Sequence, residues 1–559
     1  MIDRLQGQGV STGTTATETY DVVVVGAGFA GLYMLHRLRD RLGLSARVIE
    51  AAPEVGGTWY WNRYPGARCD IPAHHYSYAF CPELEQEWTW SERFAAQPEI
   101  LEYLKHVADR FDLRRDIQFN TRVTSAEFDD EANQWVIGTA DGQMLRAQFF
   151  VSAVGCLAAA NIPEFEGSDE FAGETYFTGQ WPHDDVDFTG RRVGVIGTGA
   201  TAIQLIPIVA EQARHLTVFQ RTPNYATPLQ NRPMDEATDR EIKANYRNLR
   251  RKEWQSLVGQ PYDHSVQPSA LAVSEEERRQ HYEQCWQEGG FALWVGSYED
   301  ILFDREANET AAEFVREKIR ERVDAPEIAE KLTPRDYPYG AKRQPCETGY
   351  YETFNRDNVT LVDVRETPIR RVTPHGIATS EREHELDCLI YATGFDAFTG
   401  GLYRMNIRGR RGLRLEDHWQ AGPRTYLGLA THNFPNMFVI TGPLSPSVLF
   451  NMPRSIEQHC EWISGCLAYM REHGYVTIEA NPEPEARWIE HTREVADQTL
   501  LPQANSWYLG ANVPGKPRVF MVYLGGGAQY KSICDEVVAN GYEGFTFTPV
   551  APKARAKAG

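Results

Sequence analysis

Two stretches of this chain repeat one pattern, a β-branched run followed by a glycine-rich turn and a helical apolar pattern: YDVVVVGAGFAGLYML over residues 20–35 and RRVGVIGTGATAIQLI over 191–206. That order is the mark of a βαβ unit, and two such units far apart call for an α/β chain with two Rossmann-like dinucleotide-binding domains. In the first unit Gly26 permits the tight turn, Gly28 lets backbone approach a pyrophosphate, and Gly31 lets the helix pack closely on the strand. Glu50 ends the following strand about 20 residues on, where a carboxylate accepts hydrogen bonds from ribose hydroxyls and disfavours a 2'-phosphate. FAD or NAD is the expected ligand. In the second unit Gly197, Thr198, Gly199 and Ala202 repeat the turn, and Arg221 and Thr222 stand at the offset that Glu50 holds in the first. A guanidinium there suits a 2'-phosphate, so NADPH is expected. Opposite charge preferences in one chain imply one nucleotide kept as a prosthetic group and a second that delivers hydride.

At 559 residues the chain exceeds one compact core. The expected organisation is a discontinuous FAD-binding domain over 19–155 and 388–548, and an NADP-binding domain over 156–230 and 336–387. A helical insertion over 231–335 is read from its amphipathic Glu- and Arg-rich stretches. Both ends, 1–18 and 549–559, lack apolar periodicity and read as flexible. The net charge of −20 repels nucleic acid and anionic membranes, so the partners are expected to be small molecules. No apolar run is long enough to span a bilayer and none follows a basic leader, which reads as a cytoplasmic protein. Nine cysteines without a CxxC pair or metal-type clustering argue against a disulfide reductase and against a metal centre.

Residues 56–70, GGTWYWNRYPGARCD, resemble a signature of the type I Baeyer–Villiger monooxygenases through Gly57, Trp59, Tyr64, Pro65, Gly66 and Asp70. ATGFD over 392–396 and SWYLGANVPGKPR over 506–518 resemble the same family, nearest its phenylacetone and steroid monooxygenase branch, and the likeness runs from Tyr20 to about Phe547. The resemblance implies an FAD-containing, NADPH- and O2-dependent enzyme that converts ketones to esters or lactones through a flavin peroxide and a tetrahedral adduct. By the same resemblance Arg343, in YPYGAKRQP, is the catalytic arginine and also meets NADP. Asp70 positions it beside the FAD, and Lys342 joins Arg221 on the 2'-phosphate. Trp507 approaches the nicotinamide. Thr58, Trp59, Tyr76, Val123 and Met452 are assigned to FAD, and Val448, Leu449 and Phe450 to the substrate pocket. The chemistry agrees, because a permanent guanidinium favours an anionic oxidant and stabilises a developing oxyanion.

One motif departs. The family's FxGxxxHxxxWP is met by Phe171, Gly173, Trp181 and Pro182, but Phe177 stands where the pattern has histidine, and His183 lies six positions on. The departure brings in an uncoupled NADPH oxidase as an alternative, beside a flavin monooxygenase oxidising sulfides or amines. A non-catalytic nucleotide-binding protein is opposed by the two intact turns together with Asp70 and Arg343. The expected assembly is a monomer or weak homo-oligomer.

Overall fold

A computed structural model describes residues 18–262 and 266–550. Each glycine-rich turn follows a strand at the heart of its own sheet. In the eight-stranded first sheet, Glu18–Val25 lies between Ala46–Ile49 and Met144–Ser152, parallel to both, with Ile117–Gln118 beyond the former. Val22, Val23 and Val24 are fully buried, as a parallel strand covered on both faces requires. Val123–Asp129 and Gln134–Thr139 continue the sheet as an antiparallel meander. The chain comes back to this sheet late: Ile407–Arg408 extends its edge, and Met437–Val439 pairs with Met144–Ser152.

The second sheet is parallel throughout, in the order Val359–Asp363, His215–Gln220, Arg192–Ile196, Cys388–Tyr391, Glu174–Phe177. Cys388–Tyr391 therefore corrects the expectation that 388–548 belongs to the first domain. This short apolar run, buried at every position, is bonded on both sides by strands of the second sheet, and Asp387 accepts from the Arg192 backbone N–H at 2.8 Å. The return follows Tyr391. The expectation of flexible ends falls mostly on residues 1–17 and 551–559, outside the described residues. At their inner limits Glu18 opens the first strand, and Pro549 ends Phe545–Pro549, which pairs with Tyr475–Ala480.

Between the sheets' segments lie the helices Glu236–Gln255, Glu275–Glu288, Arg305–Arg322 and Pro326–Leu332. The first three are capped by side chains, Asp235 accepting from Thr238 N–H, Asp304 from Glu306 and Ala307, and Ser274 forming a capping box with Glu277, while the fourth starts on Pro326. Phe291, Leu293, Phe314 and Val315 share one apolar core with Val193, Val195 and Ile203, so the insertion is packed onto the second domain.

A buried ionic network fastens the insertion to the first domain. The Glu253 carboxylate, wholly buried, meets His75 Nδ1 at 2.7 Å, Arg250 at 2.7 Å and Arg454 at 3.3 Å. Arg454 also holds Glu457, which accepts from the backbone N–H groups of Ala79 and Phe80. Burial alone would raise the Glu253 pKa, but Arg250 and Arg454 outweigh it and hold it at about 2. The stability this carboxylate contributes is therefore complete above about pH 4.5 and is withdrawn as pH falls toward 2. Glu253→Gln leaves two buried guanidinium groups short of a counter-charge and is expected to cost about 3–5 kcal/mol. Denaturant unfolding at pH 7 measures that loss, and an acid titration should show a smaller stability change for the variant than for the parent.

Candidate active site

The two turns are built alike. Gly26 has φ +105°, and a Cβ there would come within 2.7 Å of the Ala153 carbonyl oxygen; Gly197 has φ +115°, with the Ala392 carbonyl 2.4 Å from the same point. Each turn opens a helix, Phe29–His36 and Ala200–Gln212, with no side-chain cap and no acid in the first turn. The free N–H groups and the helix dipole at both ends fit a pyrophosphate. Nothing lies within 4 Å of where a side chain would begin at Gly199, which leaves room for close backbone approach. Glu50, 4% exposed, accepts from Ala27 N–H at 2.6 Å and from Ala52 N–H at 2.8 Å, so its carboxylate is fixed against the first turn. Burial raises its pKa against those hydrogen bonds. Thr198 Oγ1 donates to the Thr222 carbonyl at 2.9 Å, tying the second turn to the strand end that presents Arg221.

The segment 56–70 joins the two domains. Thr58 and Trp59 begin a short helix, Thr58–Trp61; Thr58 is exposed and Trp59 Nε1 donates to Tyr76 Oη at 3.3 Å. Further along, Gly66 at φ +84° presses on the second domain's helix, where a Cβ would come within 2.6 Å of the Gln204 carbonyl oxygen. Tyr64 Oη donates to Gln204 Oε1 at 2.9 Å, and Gln204 Nε2 reaches Asp70 at 3.4 Å. Gln204 escaped the sequence reading; its signal was a lone amide in the apolar helical run ATAIQLIPIV.

The loop carrying Lys342 and Arg343 is held by the insertion. Asn308 donates to the carbonyls of Ile301 and Tyr339 and accepts from Tyr339 N–H, while Gly340, at φ +74°, lies against the Trp294 indole where no side chain would fit. Arg343 then meets Asp70 at 3.3 Å, donates to the Val448 carbonyl at 3.4 Å and lies 5.3 Å over the Phe291 ring. Asp70 is 8% exposed and Arg343 24%, so the acid is desolvated while the guanidinium keeps an open side. Burial opposes the charge on Arg343, but Asp70 and then Tyr508 more than offset it and raise its pKa above the usual value. Burial likewise raises Asp70 despite the pull of Arg343. Tyr508, fully buried beside Trp507, was another residue the sequence reading passed over.

Arg221 and Lys342 come together as a pair of cations. Neither makes an ion pair among the described residues, and burial, followed by the repulsion of Arg221, lowers Lys342 to about 8. Two unpaired cations at the end of the second dinucleotide unit fit a phosphate monoester. Trp507 is half-buried and stacks on Phe398 at 5.7 Å, in a segment tied to ATGFD by Lys516 to Asp396 at 2.6 Å and by Asn512 to the Phe395 carbonyl at 2.7 Å.

Beside Arg343, Leu449 and Phe450 line an apolar cleft with Leu257, Trp294, Leu302 and Leu501; its free volume is about 30 Å³. Phe450 packs at a tilt against Trp254 of the insertion, ring centroids 5.2 Å apart, while Val448 contributes its carbonyl to Arg343. The backbone here is bent: Thr441, Leu444 and Ser447 all have positive φ, a concentration of strain that marks functional segments. Two FAD candidates stand further into the core. Val123 packs among Val25, Ile49 and Phe150, and Met452 opens the helix Met452–His473 against the first domain's core.

Phe177 ends the edge strand of the second sheet and stacks on Tyr391 with ring centroids 5.0 Å apart and planes 10° from parallel. His183 contacts Arg63 and lies 4.7 Å from the Tyr60 ring, so this histidine does touch the 56–70 segment.

Known proteins resemble the chain over nearly its whole length. A family model for the NAD(P)-binding Rossmann-like domain matches residues 24–85. A Baeyer–Villiger monooxygenase from Pseudooceanicola batsensis is 44% identical over 94% of this chain and 96% of its own. Among solved structures, an oxidised steroid monooxygenase bound to NADP is 54% identical, with a TM-score of 0.90 over 95% of this chain and 100% of that one. OTEMO in complex with FAD and NADP is 42% identical, with a TM-score of 0.92 over 95% and 100%. With relatives this similar and this fully covered, the chain belongs to the Baeyer–Villiger monooxygenases.

Proposed function

We propose that this flavoprotein uses FAD, NADPH and O2 to insert one oxygen atom beside a ketone carbonyl, giving an ester or lactone. The observation that carries the reading is the Arg343–Asp70 pair between two dinucleotide turns and next to an apolar cleft. When bound, FAD reduced by NADPH supplies the activated oxygen. Arg343 remains charged across the working pH range and places its guanidinium where negative charge develops on the oxygen of the attacked ketone. Asp70 orients that guanidinium from the side away from solvent. Gly26, Gly28, Gly31, Glu50, Thr58, Trp59 and Tyr76 would hold FAD; Gly197, Thr198, Gly199, Ala202, Arg221, Thr222 and Lys342 would hold NADPH. Trp507 and the apolar wall formed by Leu449 and Phe450 would exclude water. We place the enzyme in the cytoplasm, where thiols stay reduced, a setting that suits its nine free cysteines.

The test is ester or lactone formed per NADPH consumed in air, across phenylacetone, a steroid ketone and cycloalkanones. A ratio near one with any of them supports the reading and shows that Phe177 does not uncouple the enzyme; peroxide alone, across the panel, defeats it. Sulfoxide or amine oxide from heteroatom substrates, without ester, would favour the alternative oxygenation.

Arg343→Ala is expected to lower ester formation by about 10²–10³-fold, the scale of losing one oxyanion-stabilising donor, while flavin content stays unchanged. Product analysis beside flavin absorbance checks both halves of that expectation.

For NADPH, affinity should be level below pH 8 and weaken as pH rises above it, because Lys342 must be protonated to hold the phosphate and its pKa stands at about 8. Lys342→Met should remove that pH step and weaken NADPH roughly tenfold to a hundredfold, the worth of one charge-assisted hydrogen bond, with little effect on NADH. Titrations with both nucleotides from pH 6.5 to 9.5 read this directly.

A further inference from the structure

One concavity of the described surface is lined by residues of neither nucleotide turn. It lies at the edge of the first sheet, where three strands separate Ile407–Arg408 from the strand leading to Gly26. Its volume is about 550 Å³, within the roughly 300–1,000 Å³ of small-molecule sites, and Arg408, Arg410, Arg411 and Arg414 line it against a single acid, Asp417. Inside the hollow the four guanidinium groups face one carboxylate, which Arg414 meets at 3.8 Å. Two of them are fastened from outside the hollow. Arg410 is gripped by Asp130 at 3.0 Å and Glu479 at 2.7 Å, and Arg414 by Glu416. Arg408 and Arg411 make no ion pair among the described residues. Arg411 is also held at φ +55°, ψ +27°, unusual for arginine, with its backbone N–H donated to Asp130 at 2.8 Å. Asp130 thus fixes both the Arg410 head and the Arg411 backbone.

We propose that this hollow binds a compact polyphosphate group, two or three linked phosphates, at a site separate from both dinucleotides. Guanidinium forks match phosphate oxygens in pairs, and a concave cluster can engage several phosphates at once. The remainder of the chain brings the net charge to −20, which repels extended polyanions and anionic bilayers and leaves compact anions able to use the local field. Blunting the sheet edge is a different role that charged side chains perform, but it needs neither a hollow nor a clamped Arg410.

The experiment is calorimetric titration of tripolyphosphate, and separately of ATP, into FAD-loaded enzyme saturated with NADP at low ionic strength. The expected result is one tripolyphosphate per chain, weakened at least tenfold by Arg408→Gln with Arg411→Asn, the asparagine chosen because it tolerates the left-handed backbone. The variant's flavin absorbance and melting temperature should match the parent's. Equal affinities for tripolyphosphate and ATP assign recognition to the phosphates, and tighter ATP adds a base contact; both support the site. No binding, an unaltered affinity in the double variant, or orthophosphate bound as tightly as tripolyphosphate would overturn the proposal.

Discussion

The contact between Arg343 and Asp70 is the constraint around which the site is arranged, because its two halves come from segments that no single domain could bring together. Asp70 ends the segment that leaves the first turn, and Arg343 sits on a loop shaped by the insertion. A desolvated carboxylate at this position needs its cation, and the pairing in turn fixes where that cation stands. Gly66 and Tyr64 bring the acid to the second domain's helix, while Asn308, Gly340 and Phe291 bring the arginine. The Glu253 network then locks the insertion against the first domain. These contacts are separate in sequence and converge on one geometry.

The nucleotide turns were legible because their physics is local. A strand, three small residues, a helix start and one charged residue at a fixed offset lie within about thirty positions, and each has a steric or electrostatic reason that sequence displays. The Arg343–Asp70 pair was legible only through resemblance, since spacing alone cannot announce a contact between positions 70 and 343. Gln204 and Tyr508 were missed for a related reason: each is a polar group amid apolar neighbours, and its purpose depends on what faces it. The boundary near 388 erred because CLIY has the apolar character of a strand of either sheet, and only hydrogen bonding decides which.

The insertion has a larger part than its charged, helical sequence announced. It shares the second domain's core, supplies Phe291 and Trp294 beside the arginine loop, and walls the apolar cleft with Leu257 and Leu302. On the proposed reading, one element both walls the substrate cleft and shapes the loop that carries Arg343. On that reading, substitutions along the cleft would change which ketone is accepted, and those touching Asn308 or Trp294 would also move Arg343.

The late arrival of Met437–Val439 and Ile407–Arg408 in the first sheet bears on how the chain is made. On a ribosome, the strands up to Ser152 emerge with Phe150–Ser152 unpaired on the side that Gln134–Thr139 covers only as far as Ala147, and nearly three hundred more residues must follow before the partner of that stretch exists. The second sheet receives its last strand at Cys388–Tyr391, earlier than that. The domain that begins the polypeptide is consequently the one completed last, and throughout that interval its open strand is the nascent protein's point of exposure to aggregation.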